Sequence, residues 1–400
     1  MFTRYRAAYA SPGAFAFSAA GLLARVPIAI YPIGLVLIVS ARTHAYGFAG
    51  VITGVYVLGG AIGGPLAGWL VDRYGQSRML SWFAAAHVVV TAVFAVLILS
   101  QAPLWTLVLP AVLMGATLLN VGALIRARWS HAWTADPATR ATAYSVESVL
   151  DETVFVVGPL IATVLTTHTP SLVTLTLAVV LAVAGSSWLA TQRRTEPPVK
   201  ARHEKHEFAL RSRGMLLITA GMACMGAVFG SAEVVMVAFC GQHGQRASAG
   251  WAVACFAGGS GVAGIIYGAR HWRTPLLRRY VLCAAVFAVL PFLYLVPQTP
   301  AQLAVCTFFI GMSIAPTLIG SFGLVDSLVP AASLTEGLTW IGTGLSVGYG
   351  AGAALVGRIA DTHGAHVAFA VPITCAVLTG MFALILPVRM RMPEPHGVFA

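Results

Sequence analysis

The chain alternates long apolar runs with short polar connections. A membrane-crossing helix needs roughly 20 predominantly apolar residues. Twelve runs come near that length: 14–40, 47–71, 79–99, 104–127, 142–166, 171–191, 214–239, 248–269, 280–297, 301–325, 335–357 and 365–387. The pattern predicts an all-α integral membrane protein with twelve transmembrane helices. One connection is long. Thr191–Arg213 is polar, carries Pro197-Pro198 and seven basic residues, and leaves six runs on either side. It reads as a linker without a fold of its own. The expected organisation is a six-helix bundle over 1–190, a linker over 191–213 and a second six-helix bundle over 214–400.

Glycine spacing adds detail to the runs. Gly60, Gly64 and Gly68 in run 2 lie four residues apart. That spacing places them on one face, where another backbone can approach closely. The run then stops at Asp72-Arg73, Gly75 permits a tight turn, and Arg78 precedes the next run. Two readings stand: a moving joint between packed helices, or a short loop with ordinary positive charge. The halves also look like repeats. Run 8 carries Ser260, Gly264 and Gly268, followed by a basic stretch from Arg270 to Arg279. Runs 4 and 10 carry Gly115 and Gly311 and lead to Glu147 and Glu336, while run 11 sets Gly344, Gly348 and Gly352 on one face. Two parallel repeats of this kind build secondary transporters, with the substrate site between the halves. The second copy of the charged hairpin, after run 8, lacks an aspartate.

Composition narrows the class. The chain is 58% hydrophobic and 9% charged, with mean hydropathy +0.83. Soluble domains are about a quarter charged. The net charge of +11 raises nucleic acid as a partner, but its distribution argues otherwise. An even helix count puts both termini on one side, and 20 of the 24 basic residues fall there, including Arg4, Arg6, Arg389, Arg391 and the seven of the linker. Only Arg42, Arg246 and Arg358 fall opposite, and Arg25 lies inside a span. Positive charge marks the cytoplasmic side, so both termini are expected there, the excess is topological, and no nucleic acid is expected. The first apolar stretch is long enough to span and is expected to be retained. The six cysteines, Cys224, Cys240, Cys255, Cys283, Cys306 and Cys375, show no CxxC or Cys/His ligand spacing. They read as packing residues, with no disulfide framework, no metal and no cofactor. A G-x-x-x-x-G-K-S/T loop is absent, against ATP-driven transport, and no Ser-His-Asp or zinc spacing points to an enzyme. Arginine outnumbers lysine 22 to 2, a bias of GC-rich bacterial genomes, and the expected location is a bacterial inner membrane.

Ionisable groups inside spans cost about 2.5–3.5 kcal/mol on insertion scales and are functional candidates by default. Arg25 lies near the middle of run 1, followed by Pro27, Tyr31 and Pro32. It reads either as a functional charge or as a buried partner pinning run 1 to a neighbour. Run 5 carries Glu147, Asp151 and Glu152, with Glu147 and Asp151 four apart and on one face. Two carboxylates so close do not readily ionise together, which is the chemistry of proton uptake and release. For Glu147 a helix-entrance role, where negative charge suits the helix N-terminus, also stands. Arg25 is the obvious counter-charge, pairing with Asp151 or Glu147 and loosening on protonation. Glu233 in run 7 has no charge near it in sequence; it binds a cationic substrate, carries a proton or faces solvent. His87 reads as a hydrogen-bonded packing residue. Tyr31, Asn120, Trp340 and Thr343 are candidate cavity-lining groups, together with Arg25 and Glu233.

Gly68-Trp69-Leu70-Val71-Asp72-Arg73-Tyr74-Gly75-Gln76-Ser77-Arg78 resembles the loop 2–3 signature of the major facilitator superfamily, G-x-x-x-D-R-x-G-R/K-x-x-R/K. Gly68, Asp72, Arg73 and Gly75 match; Gln76 replaces a usual basic residue, with Arg78 nearby. The resemblance implies two pseudo-symmetric six-helix bundles that alternate access to a central site. It also implies that the hairpin locks the outward-facing state, with Asp72 at the N-terminus of helix 11, near Leu334–Gly337, and Arg73 in a charge network. Glu336 there would compete with Asp72 or bind Arg73. Gly158-Pro159 resembles the core of the antiporter signature of drug-efflux branches. Val154 and Ala162 replace its glycines, and Ala111 stands where those branches carry an arginine in helix 4. The resulting expectation is a monomeric, proton-coupled exporter of small amphipathic molecules, with Arg25, Glu147, Asp151 and Glu152 coupling the proton. An importer of a nutrient or metabolite, and a non-transporting receptor of the same fold, are the alternatives.

Overall fold

The computed structural model describes residues 9–133, 136–198, 213–270, 272–328 and 334–389. Twelve helical spans follow in order: α1 Ala14–Thr43, α2 Tyr46–Tyr74, α3 Gln76–Leu99, α4 Leu104–Ala132, α5 Pro137–His168 and α6 Ser171–Thr191, then α7 Arg213–Gln242, α8 Ser248–Ala269, α9 Leu276–Leu295, α10 Pro300–Val325, α11 Leu334–His363 and α12 Ala365–Leu386. All but α11 meet a strict test of length and apolarity for crossing a membrane. α11 has 30 residues, about 45 Å at 1.5 Å per residue, and is diluted by polar residues and glycines on its packed faces.

Three differences between the spans and the apolar runs stand out. α5 begins at Pro137, so Glu147 lies well inside the helix. A terminal dipole acts only within the first turn, and the helix-entrance reading of Glu147 therefore fails. α9 begins at Leu276, directly after Pro275, whose backbone is extended (φ −56°, ψ 146°). α4 breaks at Leu118–Asn120, where the Asn120 side chain accepts a hydrogen bond from the Ala123 amide at 3.3 Å and caps the second segment. Asn120 is a cap, which orders backbone donors that would otherwise lack partners.

Successive spans run antiparallel, and both described ends of the chain lie at one end of the bundle, here the terminal end; the opposite is the distal end. In the first bundle α1 packs against α5 and α6, α2 against α4, and α3 against α6; in the second α7 packs against α11 and α12, α8 against α10, and α9 against α12. The bundles meet through α2 with α11 and α5 with α8. The close face of α2 is not the one expected. A Cβ on Gly59 would sit 2.0 Å from the Val112 carbonyl oxygen and one on Gly63 2.6 Å from Ala116 Cα, whereas Gly64 and Gly68 have nothing within 4 Å. The α2–α4 contact therefore runs along Gly59 and Gly63, and of the expected glycines only Gly60 shares it, its amide nitrogen 2.8 Å from a Cβ built on Gly115.

The two bundles are joined tightly on the distal side. A Cβ on Gly54 would lie 2.8 Å from Gly350 Cα, and one on Gly250 would lie 2.7 Å from Thr163 Oγ1. Among the described residues, the tight glycine approaches between bundles reach from the distal end no further than Leu58 on α2 and Glu152 on α5. Toward the terminal end, α2 leaves Ile62, Leu66 and Trp69 exposed.

Candidate transport site

The few charges inside the spans come together. Arg25 on α1 donates from Nη2 to the Glu147 carboxylate and from Nη1 to Asp151 Oδ1 at 2.7 Å, while its Nε donates to the Gly21 carbonyl at 3.0 Å. Both predicted partners are engaged at once. A second arginine completes the group: Arg126 on α4 donates to Asp151 Oδ2 at 2.7 Å. Glu147 is wholly buried and also accepts from Ser18 at 2.6 Å and from Trp129 Nε1 at 2.9 Å. Two arginines thus face two carboxylates, each charge held by hydrogen bonds, the condition under which buried ion pairs are tolerated. The carboxylates differ in access. Glu147 has 0% exposure and Asp151 28%, so Asp151 is the more accessible of the two.

The remaining candidates separate. Glu152 lies on the α5–α8 seam, with its Oε2 3.1 Å from a Cβ built on Gly261, and forms no ion pair with a described residue. Glu233 accepts a hydrogen bond from the Tyr349 hydroxyl of α11. Tyr31 does not line a cavity: it is 1% exposed and shares a 2.8 Å hydrogen bond with His87 Nε2, whose Nδ1 meets Thr117 Oγ1 at 3.0 Å. His87 is thus the packing residue expected. Trp340 packs, partly buried, against the core of the second bundle. Gly158 sits where α5 touches α1, its missing Cβ 2.6 Å from Ala29 Cβ, and the Pro159 carbonyl faces Gly250 of α8.

The family model described as the Major Facilitator Superfamily matches residues 13–245. The chain belongs to the major facilitator superfamily. Solved structures of the same fold include nucleoside transporter NupG, with a TM-score of 0.71 at 9% identity, covering 96% of this chain and 100% of that one. A peptide transporter POT in complex with sulfate gives a TM-score of 0.73 at 13% identity, covering 96% of each chain. The POT family transporter PepTSo gives 0.61 at 12% identity, covering 95% of this chain and 97% of that one. No curated protein sequence matched the chain.

The superfamily's loop signature lies at the terminal end. Gly75 caps α2 and starts α3 at φ 89°, a backbone state open to glycine, and joins the two helices through one residue. Gln76, at the position usually basic, accepts from the buried Arg128 Nε at 2.8 Å; Arg128 also donates to the carbonyls of Leu189 and Gln192 and to Thr195 Oγ1. Glu196 accepts from the Ser77 amide at 3.1 Å and from the Ser77 hydroxyl. The hairpin is thereby tied to the end of α6. Arg73 lies 5.3 Å from the Trp69 ring centroid. Asp72 is exposed and forms no ion pair with a described residue. Arg78 is exposed as well. The expected partner of Asp72 at Leu334–Gly337 lies on a helix start whose side chains, Glu336 included, are largely outside the described residues.

The superfamily hairpin has a counterpart at the distal end. Asp361 near the end of α11 accepts from the Tyr46 and Gly47 amides, 2.6 Å each, and so caps the N-terminus of α2 from the other bundle. Gly364 then joins α11 to α12 at φ 84°. The order Gly357-x-x-x-Asp361-x-x-Gly364 repeats that of Gly68-x-x-x-Asp72-x-x-Gly75. The sequence held this signal, but on the helix facing α2, in inverted orientation, rather than after run 8.

Proposed function

We propose that this superfamily member is a proton-coupled secondary transporter that exports small amphipathic molecules, acts as a monomer, and keeps both termini in the cytoplasm of a bacterial cell. Its bundles are taken as 1–190 and 214–400, joined by 191–213. The observation that carries the coupling is Arg25 bridging Glu147 and Asp151 inside the spans, with Asp151 also held by Arg126. A proton arriving on Asp151 leaves two arginines facing one carboxylate. Their hold on α5 weakens, and α5 is one of the two first-bundle helices, with α2, that close the distal seam. Glu147, enclosed by Arg25, Ser18 and Trp129, stays as the anchor of the group, while Glu152 on the seam and Glu233 beside Tyr349 are further carboxylates that a substrate or proton can meet.

Alternating access follows from the two aspartates. With Asp361 on α2 the distal end is shut and the terminal side parts, which under the positive-inside rule is a cytoplasm-open state. In the opposite state Asp72 is the capping anion, on the N-terminus of α11, since a helix N-terminus attracts negative charge. Export of amphipathic compounds is supported by the scarcity of polar groups: Glu147, Asp151, Glu152 and Glu233 are the carboxylates of the span interiors. A sugar site needs many hydrogen-bonding side chains. Expression in a sensitive bacterial host tests direction. Export predicts protection against lipophilic cations or antibiotics; sensitisation to a toxic nutrient analogue would instead establish uptake.

A further inference from the structure

The basic stretch after α8 has no part in the transport cluster, yet the fold builds a cleft around it. A cavity of about 650 Å³ opens at the terminal end between the α8–α9 connection, α9 and the middle of α10. Its polar end holds Arg270, Arg273, Arg279 and Tyr267, and its apolar wall includes Leu282 and Val286. Along α9, Arg279 and Val286 are seven residues apart, about 10 Å of depth at 1.5 Å per residue. Leu282, Val286 and Val289, at 56%, 51% and 65% exposure, share one outward face of α9. The cleft therefore opens toward the surroundings of the bundle and away from the seam between the halves.

The polar end is preorganised and, among the described residues, carries no neutralising carboxylate. Two guanidinium groups lie over the Trp272 ring, Arg270 at 4.8 Å and Arg279 at 5.6 Å from its centroid, and the Tyr267 ring lies tilted beside it with centroids 4.9 Å apart. Trp272 Nε1 donates to the Tyr267 carbonyl at 2.9 Å, fixing the ring. No Asp or Glu occurs between Glu233 and Asp326, and among the described residues none of the three arginines forms an ion pair. Of the buried polar atoms without a hydrogen-bond partner, two belong here: Arg279 Nε and the hydroxyl of Tyr267, a residue only 7% exposed. Leaving a buried donor unsatisfied is unfavourable, and both atoms belong to residues lining this cleft.

We propose that the cleft binds an anionic phospholipid, its phosphate on Arg270, Arg279 and the Tyr267 hydroxyl and one acyl chain along Leu282 and Val286. Guanidinium groups match phosphate oxygens in pairs, and basic pockets between membrane helices suit anionic headgroups. Among the described residues no carboxylate pairs with these arginines, which argues for an anionic over a zwitterionic lipid, because an ammonium headgroup finds no described counter-charge here. The site is distinct from the transport cluster and does not depend on the direction of transport.

The test is native mass spectrometry of the purified full chain with phosphatidylglycerol and phosphatidylethanolamine of matched acyl chains. Wild type should retain phosphatidylglycerol at least tenfold more strongly, a measurement that needs no variant. The pair Arg270→Ala/Arg279→Ala should lose that preference, and Tyr267→Phe should reduce it several-fold. The pair Arg73→Ala/Arg78→Ala, at the same end but outside the cleft, should leave it intact. Inorganic phosphate at millimolar concentration should fail to displace the lipid, since it lacks the chain that fills the apolar wall. Equal retention of the two lipids by wild type, equal loss in both arginine pairs, or full displacement by phosphate would each overturn the assignment.

Discussion

Removing the Asp361 carboxylate should open the distal end. In the structure it accepts two amide hydrogen bonds, each 2.6 Å, from the first turn of α2. Loss of a helix cap costs about 0.5–2 kcal/mol, and a charge at the positive end of a helix is worth about 0.3–1 kcal/mol. Because the contact joins the two bundles, its loss falls on the distally closed state. Asp361→Ala should therefore cost that state about 1–2 kcal/mol, a shift of about 5–30-fold in the closed-to-open ratio. Asp361→Asn keeps an acceptor and loses the charge, so about 0.3–1 kcal/mol, or roughly 2–5-fold, is expected. Spin labels at His44 and His363, both exposed at the distal end, read the two populations as short and long distances in a cysteine-free background. The long-distance population should rise in the order wild type, Asn, Ala. Identical distributions in wild type and a folded Asp361→Ala variant would refute the reasoning.

Three further outcomes follow from the same geometry. Arg25→Ala leaves Glu147 buried beside no arginine and should destabilise the protein by about 3–5 kcal/mol; adding Glu147→Gln should recover part of the lost Tm, whereas strictly additive losses would contradict the pairing. Gly54→Leu places a side chain where a Cβ already lies 2.8 Å from Gly350 Cα, an overpacking of about 1–3 kcal/mol, and should raise the same long-distance population as Asp361→Ala. Arg128→Ala removes the side chain that bonds Gln76, Leu189, Gln192 and Thr195, and amide hydrogen exchange across residues 74–78 should accelerate while that of α7 is unchanged.

The spans and the central charge cluster were legible in the sequence for a common physical reason: hydrocarbon admits few charges and requires long apolar runs. With so few ionisable residues in the spans, Arg25, Glu147 and Asp151 had little choice of partner. Arg126 was harder to place. It stands at the end of an apolar run and reads as one more topological charge, because the break at Leu118–Asn120, which shifts the rest of α4, lies within a largely apolar stretch. Glycine spacing predicted that α2 would approach another helix but could not fix the face, since Gly59 and Gly63 share the four-residue period of Gly60, Gly64 and Gly68. Asp361 escaped because a parallel repeat directs attention to the end of α8, while the matching aspartate belongs to the inverted partner of α2. Tyr31 and Asn120 are polar groups whose needs are met locally, by His87 and by a helix start, which sequence position alone does not reveal.

The proposed coupling role of Asp151 is tested most directly in respiring inverted membrane vesicles, by following lumenal pH as candidate lipophilic compounds are added to wild type and Asp151→Asn. Proton-coupled export through this carboxylate predicts that a transported compound releases protons from the lumen of wild-type vesicles and none from the variant. Undiminished proton release from a folded Asp151→Asn protein would contradict the account and move the coupling to another carboxylate.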